Sequence, residues 1–417
     1  MIPNLAPVFQ HLHLERIEDV PAHVRQGLRA LPLSERVRPG MSVAIGVGSR
    51  GISCIYEVVR VTVEELRALG ARPFLVPAMG SHGGGTSEGQ QAVLKDYGLT
   101  PEALGVPIRS SLDTVQVGKT PEGMPVYFDA NAVQADGIIV VNRVKEHTAF
   151  RGRWESGLMK ILAIGLGKAR GAAQIHDWGL KDAMPAAART ILSHLPVFVG
   201  IAIVENGVHQ AARIEILRAE RIETEEPALL ELARRWTPRI PFEPIDSVVI
   251  REMGKEISGT GMDLNVIGMW RRNGGPIVPQ IGTVAVLDLT PRSHGNAAGV
   301  GHADLISRRL YDKIDLQATY LNCITSNNFA GAKIPIPLPT DREVIETSLK
   351  GLLPDRARLV LIANTLELQV VWASESLLEI VAVTPSLEQI GPPQPPRFDS
   401  EGSLIPPGMP DVMASEE

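Results

Sequence analysis

Cysteine is nearly absent from this chain. Its 417 residues include two, Cys54 and Cys323, too few and too far apart for a disulfide framework or a thiolate metal site. Aromatic residues make up 4%, which leaves little for the base-stacking platforms of single-strand nucleic-acid binders. Positive charge is not in surplus: 41 Lys and Arg stand against 47 Asp and Glu, a net charge of −6. No basic block stands out, so a nucleic-acid partner is not expected. Long apolar runs are missing too. The longest, Leu195 to Val204, is roughly half of what a membrane-spanning helix needs. The first twenty residues show neither the basic nor the apolar region of a secretory leader. The expectation is a cytoplasmic protein with no membrane partner.

What is abundant is glycine, 39 residues, beside 32 prolines. Together they stay below the ~25–30% of low-complexity disorder, so the glycines serve tight turns and close backbone approaches. Short apolar strands alternate with helical stretches: Met41–Ile45, a helix from Glu57 to Leu69, Phe74–Val76, a helix opened by Ser87 and Gln90 as a capping box, then Gly137–Val141 and Val197–Val204. The pattern resets near Arg235–Pro241, and strands follow at Ser247–Ile250, Thr283–Leu289, Leu359–Ile362 and Leu368–Trp372, with a helix from Asp341 to Leu352. Alternation of this kind implies an α/β fold of two domains with mostly parallel sheets. The expected boundaries are 1–241 for a catalytic and cofactor-binding domain, 242–385 for a second α/β domain closing a cleft, and 386–417 for a Pro-rich tail.

Three segments carry chemistry. Gly46-Val47-Gly48-Ser49-Arg50-Gly51 is a G-x-G-x-x-G turn between a strand and a helix. No acidic residue stands between Leu66 and Ser87 to hold a ribose, so a nicotinamide fold is disfavoured. An anion-binding turn remains, with the Arg50 fork suited to a carboxylate or phosphate. Gly80-Ser81-His82-Gly83-Gly84-Gly85 puts a histidine at the carboxyl end of the next strand, where α/β sheets bind ligands. Beyond the third strand come His147, Lys160 and His176. Lys160 lies in an apolar stretch, where a lysine must be paired, neutral or reactive. His82, His147 and His176 also leave open a zinc-type hydrolase with three histidine ligands. In the second half, Lys255 and Gly259–Asp263 follow a strand and can face a cleft, while His294 and His302 read as loop residues.

In this order the residues resemble the nickel-dependent lactate racemase superfamily of 2-hydroxyacid racemases and epimerases, over residues ~40 to ~380. The resemblance implies an isomerase. It implies that Arg50 holds the substrate carboxylate, and that His82 and His147 are the two acid/bases. The cofactor it implies is a nickel-pincer nucleotide, nickel pyridinium-3,5-bisthiocarboxylic acid mononucleotide. Lys160 would tether it, His176, 16 residues on, would ligate nickel, and Ser49, Gly80, Gly83 and Gly84 would line its site. Chemistry would proceed by reversible hydride transfer from C2. Asp263-Leu264-Asn265 matches a second-domain motif, with Gly268 at the family's glutamine position and Arg271 at its lysine position. Arg271 and Lys255 are then substrate-binding candidates, and the substrate is expected to differ from lactate. The partners implied are a small hydroxy acid and, transiently, the proteins that make the cofactor; a homodimer stays open. So does a diverged member that binds a nucleotide or other ligand without turnover.

Overall fold

The computed structural model describes residues 1–48 and 51–407. They form two compact units: His13–Thr237, and a second made of Met1–Leu12 with the chain from Pro238 onward. The first twelve residues do not stay with the N-terminal domain, because β1 (Leu5–Gln10) pairs with strands from the far end of the chain. No local pattern announces such a pairing.

The unit His13–Thr237 holds β2 (Ser42–Val47), β3 (Arg72–Pro77), a hairpin of β4 (Thr114–Lys119) and β5 (Pro125–Asp129), then β6 (Gly137–Arg143), β7 (Val197–Glu205) and β8 (Ala211–Arg218). Its main sheet has the order β3-β2-β6-β7-β8. The first four strands are parallel, and β8 returns antiparallel as an edge. The four parallel strands are mostly apolar on both faces, as a sheet covered on both sides requires. Ala44, Phe74, Val76, Ile138 and Val140 turn to one layer, packed against Leu158–Leu166 and helices Leu180–His194 and Ala219–Trp236. Val43, Ile45, Leu75, Ile139 and Val141 turn to the other, against helices Val20–Ala30 and Ile55–Ala68.

The second unit adds β9 (Ile245–Ile250), β10 (Ile281–Val286), β11 (Leu305–Ser307), β12 (Ile336–Leu338), β13 (Leu359–Ile362), β14 (Val370–Ser374) and β15 (Leu387–Gln389). Its sheet runs β12-β11-β10-β9-β13-β14-β1-β15. The five strands from β12 to β13 are parallel, and the remaining pairings are antiparallel. The segment expected as a tail is built into this unit as far as it is described. β15 pairs with β1, and Leu404 is buried with its N–H donated to Asp341 at 2.8 Å. Among the described residues no helix is long and apolar enough to cross a membrane.

Candidate active site

In parallel α/β sheets the carboxyl edge is where loops can converge on a ligand. β3, β2 and β6 are neighbours, with Val47 level with both Pro77 and Val141. The three loops that leave them therefore start from one edge, side by side. The β2 loop includes Ser49 and Arg50, which lie outside the described residues; its next residues are pinned. Gly51 N–H donates to the Tyr97 hydroxyl at 3.1 Å, and Ser53 N–H donates to Glu205 at 3.1 Å. Arg143, at the end of β6, pairs with the same Glu205 carboxylate, both side chains nearly buried.

The β3 loop carries His82. Its backbone turns sharply: Gly80, Gly83, Gly84 and Gly85 all have left-handed φ, from +59° to +67°, which selects glycine. Gly83 has a second reason. A Cβ there would sit 2.6 Å from the backbone of Gly89 and Gln90, in the first turn of helix Ser87–Asp96. At Gly84 a Cβ would meet nothing within 4 Å, so this side of the turn is open. The expected Ser87–Gln90 capping box does not form. Thr86 caps instead, accepting from Gly89 N–H at 3.0 Å, and Gln90 turns inward to donate to the carbonyls of Gly80 (2.9 Å) and His82 (3.3 Å). A buried amide with two loop carbonyls in reach does more there than a second cap at an exposed helix end.

The β6 loop carries His147, half-buried. Lys145 and Ser156 bond each other's backbones and close the loop at its base. Inside it the buried Glu155 carboxylate accepts from His147 N–H at 2.6 Å and Gly152 N–H at 3.1 Å, and meets Arg234 at 2.7 Å. The His147 ring lies 4.7 Å from Phe150, and its Nδ1 accepts from Ala149 N–H at 3.0 Å. A donor can point only at a lone pair, so in this geometry the neutral imidazole carries its proton on Nε2.

The next segment, Leu158–Gly165, closes over both loops. Asn142 donates to the Gly157 carbonyl at 2.9 Å, and Gly80 N–H donates to the Gly165 carbonyl at 3.0 Å. It begins as α-helix through Lys160 and widens to π-helix over Ile161–Gly165, a distortion common at functional sites. Its first two N–H groups, of Leu158 and Met159, both donate to Glu226, a carboxylate buried in helix Ala219–Trp236. Burial outweighs those two bonds and pushes the Glu226 carboxyl up to about 7. The other oxygen, Oε1, has no partner.

Lys160 is half-buried, so the fully buried lysine is a different one. Lys168, at the start of helix Lys168–Trp178, is 0% exposed and holds a left-handed φ of +55°. It faces Asp129 at 3.2 Å, Gln90 at 3.2 Å and the Pro77 carbonyl at 2.6 Å. The rule that a buried lysine must be paired was right in kind and pointed eight residues too early. His176 lies two turns further along that helix and is half-buried. Among the described residues no group of three or more His, Cys, Asp or Glu gathers to hold a metal ion. His82, His147 and His176 thus do not make the hydrolase-type site. Cys54, beside the β2 loop, is no nucleophile: burial, with Glu205 and Glu57 nearby, pushes its thiol up to about 12.

The remaining candidates belong to the other unit. Arg271 does not fit a substrate clamp. Its guanidinium donates to Asp304 (2.8 Å) and to the carbonyls of His302, Ile281 and Gly282, lies over Trp270, and is 5% exposed. Both terminal nitrogens of the fork are thus engaged, while its Nε is buried without a partner. Lys255 donates to the Gly259 carbonyl at 2.5 Å and to Asn322 at 2.7 Å. Sequence reasoning assigned no role to Asn142, Glu155, Asp129 and Glu226, and read Gln90 only as part of a helix cap. All are buried or half-buried polar groups, and their only signal is a polar residue inside or beside an apolar run.

A two-unit α/β protein with a histidine-bearing glycine turn and a second histidine loop on one sheet edge is the class defined so far. Residues 4–186 match the family described as the lactate racemase N-terminal domain. The lactate racemase apoprotein from Thermoanaerobacterium thermosaccharolyticum is similar in fold, with a TM-score of 0.51 at 11% identity, over 86% of this chain and 100% of that one. A protein from Thermotoga maritima aligns at 13% identity over 66% of this chain and 72% of its own, with a TM-score of 0.44. No curated protein sequence matches.

Proposed function

We propose that this protein is an isomerase that inverts C2 of a small 2-hydroxy acid, with His82 and His147 as its acid/bases and a nickel-pincer nucleotide as cofactor. The observation that carries the reading is the placement of His82, His147 and Lys160 on three segments that are hydrogen-bonded to one another along one sheet edge. The donor set suits such a group. Lys160 offers an amine for a tether and His176 a single imidazole ligand. Because no protein-only cluster of metal ligands forms among the described residues, most of the nickel's ligands would come from the nucleotide.

When bound, the cofactor supplies reversible acceptance of the C2 hydrogen as hydride. The chain supplies the rest. Inversion needs a proton removed from, and returned to, the C2 hydroxyl on either face, hence two histidines, whose ordinary pKa suits transfer near neutrality. With its proton on Nε2, His147 would be the donor to a carbonyl oxygen. To serve as base it must exchange the Ala149 bond for a proton on Nδ1. Arg50 would clamp the carboxylate and fix the face presented.

The test is intact mass and metal analysis of protein co-expressed with a pathway that makes the cofactor. The reading expects nickel and an adduct on Lys160 that disappears in Lys160→Ala. Protein with neither nickel nor adduct would overturn the tethered form.

A further inference from the structure

Gln90 and Lys168 meet in the interior of the unit His13–Thr237, and neither touches the open side of the site. Gln90 and Lys168 are each 0% exposed, and Asp129 is too. The ammonium of Lys168 has three N–H groups and three partners: the Pro77 carbonyl that ends β3, the Oε1 of Gln90, and Asp129. Asp129 is itself fixed, accepting from Asn131 and Ala132 N–H at 2.9 and 2.8 Å. An ammonium can only donate, so the oxygen of the Gln90 amide must face Lys168. The NH2 end is thereby aimed at the carbonyls of Gly80 and His82, which flank Ser81. Lys168 also opens the helix that carries His176.

We infer that Lys168 and Gln90 are positioning residues, a buried brace that sets the His82 turn against the end of β3 and against the helix bearing His176. The inference rests on the reading of His82 and His176 as functional groups. The brace itself is a matter of hydrogen bonds and can be tested without turnover. It also accounts for the cost of the arrangement. A buried ammonium and carboxylate are expensive to desolvate, and a hydrophobic pair of the same volume is often at least as stable. What a hydrophobic pair cannot do is orient an amide.

The experiment uses the full chain and two variants that differ in what Gln90 presents. Gln90→Leu removes both ends of the amide. Gln90→Glu keeps an acceptor for Lys168 and adds a charge to pair with it, but turns an acceptor toward two carbonyls. Hydrogen exchange is followed by mass spectrometry, and the His82 ring signal by NMR of histidine-labelled protein. In both variants, exchange in residues 78–86 rises tenfold or more, the His82 signal shifts, and exchange in β2 and β6 stays as in the parent. Because Lys168→Met alone would strand the Asp129 charge, the lysine is tested as Lys168→Met with Asp129→Asn. This pair is expected to loosen residues 78–86 and 168–178 together. Unchanged exchange and an unmoved His82 signal in the Gln90 variants would overturn the brace. So would a uniform rise across the unit, or a double variant whose 78–86 segment exchanges like the parent. If no hydroxy acid is turned over but these changes appear, the functional reading fails and the brace stands.

Discussion

Glu226 in the unit His13–Thr237 and His302 in the other unit are both buried, both linked to the segments that follow parallel strands, and both short of one partner, Oε1 in the first and Nδ1 in the second. They respond to pH in opposite directions. Burial lifts Glu226 from an ordinary 4.5 to about 7. The folded unit therefore holds a proton that the unfolded chain has released, and stability falls as pH rises from about 4.5 through about 7. Burial, with Arg272 and Arg271 nearby, lowers His302 from 6.5 to about 4. There the unfolded chain takes the proton first, and stability falls as pH drops from 6.5 through about 4. A third buried group, Lys168, faces Asp129 at 3.2 Å. Desolvation lowers its pKa and Asp129 opposes that shift. The lesson is that the unit with the candidate site pays for buried charge where backbone must be aimed, while the second unit keeps its buried base neutral.

The largest expected break is Lys168→Met, which leaves the Asp129 carboxylate buried without its cation. Denaturant unfolding should show a loss of about 3–5 kcal/mol, with most of it recovered by adding Asp129→Asn. Next is acid titration of the second unit. Between pH 6.5 and 4, His302 accounts for a loss on the order of 3 kcal/mol, and His302→Leu should flatten the stability curve over that range. Smaller, and opposite in sign, is Glu226→Gln. The amide oxygen still accepts from Leu158 and Met159, and nothing needs to ionise. Melts at pH 8 should show a gain of about 1–2 kcal/mol, shrinking toward pH 5. Least is Thr86→Ala, which removes the cap of helix Ser87–Asp96 and should cost about 1 kcal/mol in the same melts.

Much of this arrangement could be read from the sequence. β13 lies at the residues expected, and β2, β3, β6, β7 and β9 lie within two or three, because a doubly covered strand is an unbroken apolar run between glycines. Loops bearing His82 and His147 at strand ends followed directly from that. β1, β8 and the hairpin of β4 and β5 were not legible. β1 depends on partners at the other end of the chain, and β4 is largely exposed and polar. The partners of the Arg271 guanidinium were not legible either, because they are set by tertiary packing rather than by spacing. The same holds for Lys160 and Lys168. Both sit in one Gly-rich apolar stretch, and only the fold decides which is enclosed.

The claim that joins the site's parts is that the two histidines serve an inversion in which the C2 hydrogen travels as hydride. The most direct measurement gives holo-protein a panel of single-enantiomer 2-hydroxy acids deuterated at C2, and follows configuration by chiral chromatography and label by mass spectrometry. The account predicts that one or more acids invert with the deuterium retained, and that inversion is lost in His82→Asn and in His147→Asn. Inversion with the label exchanged for solvent hydrogen, or undiminished in either histidine variant, would contradict it.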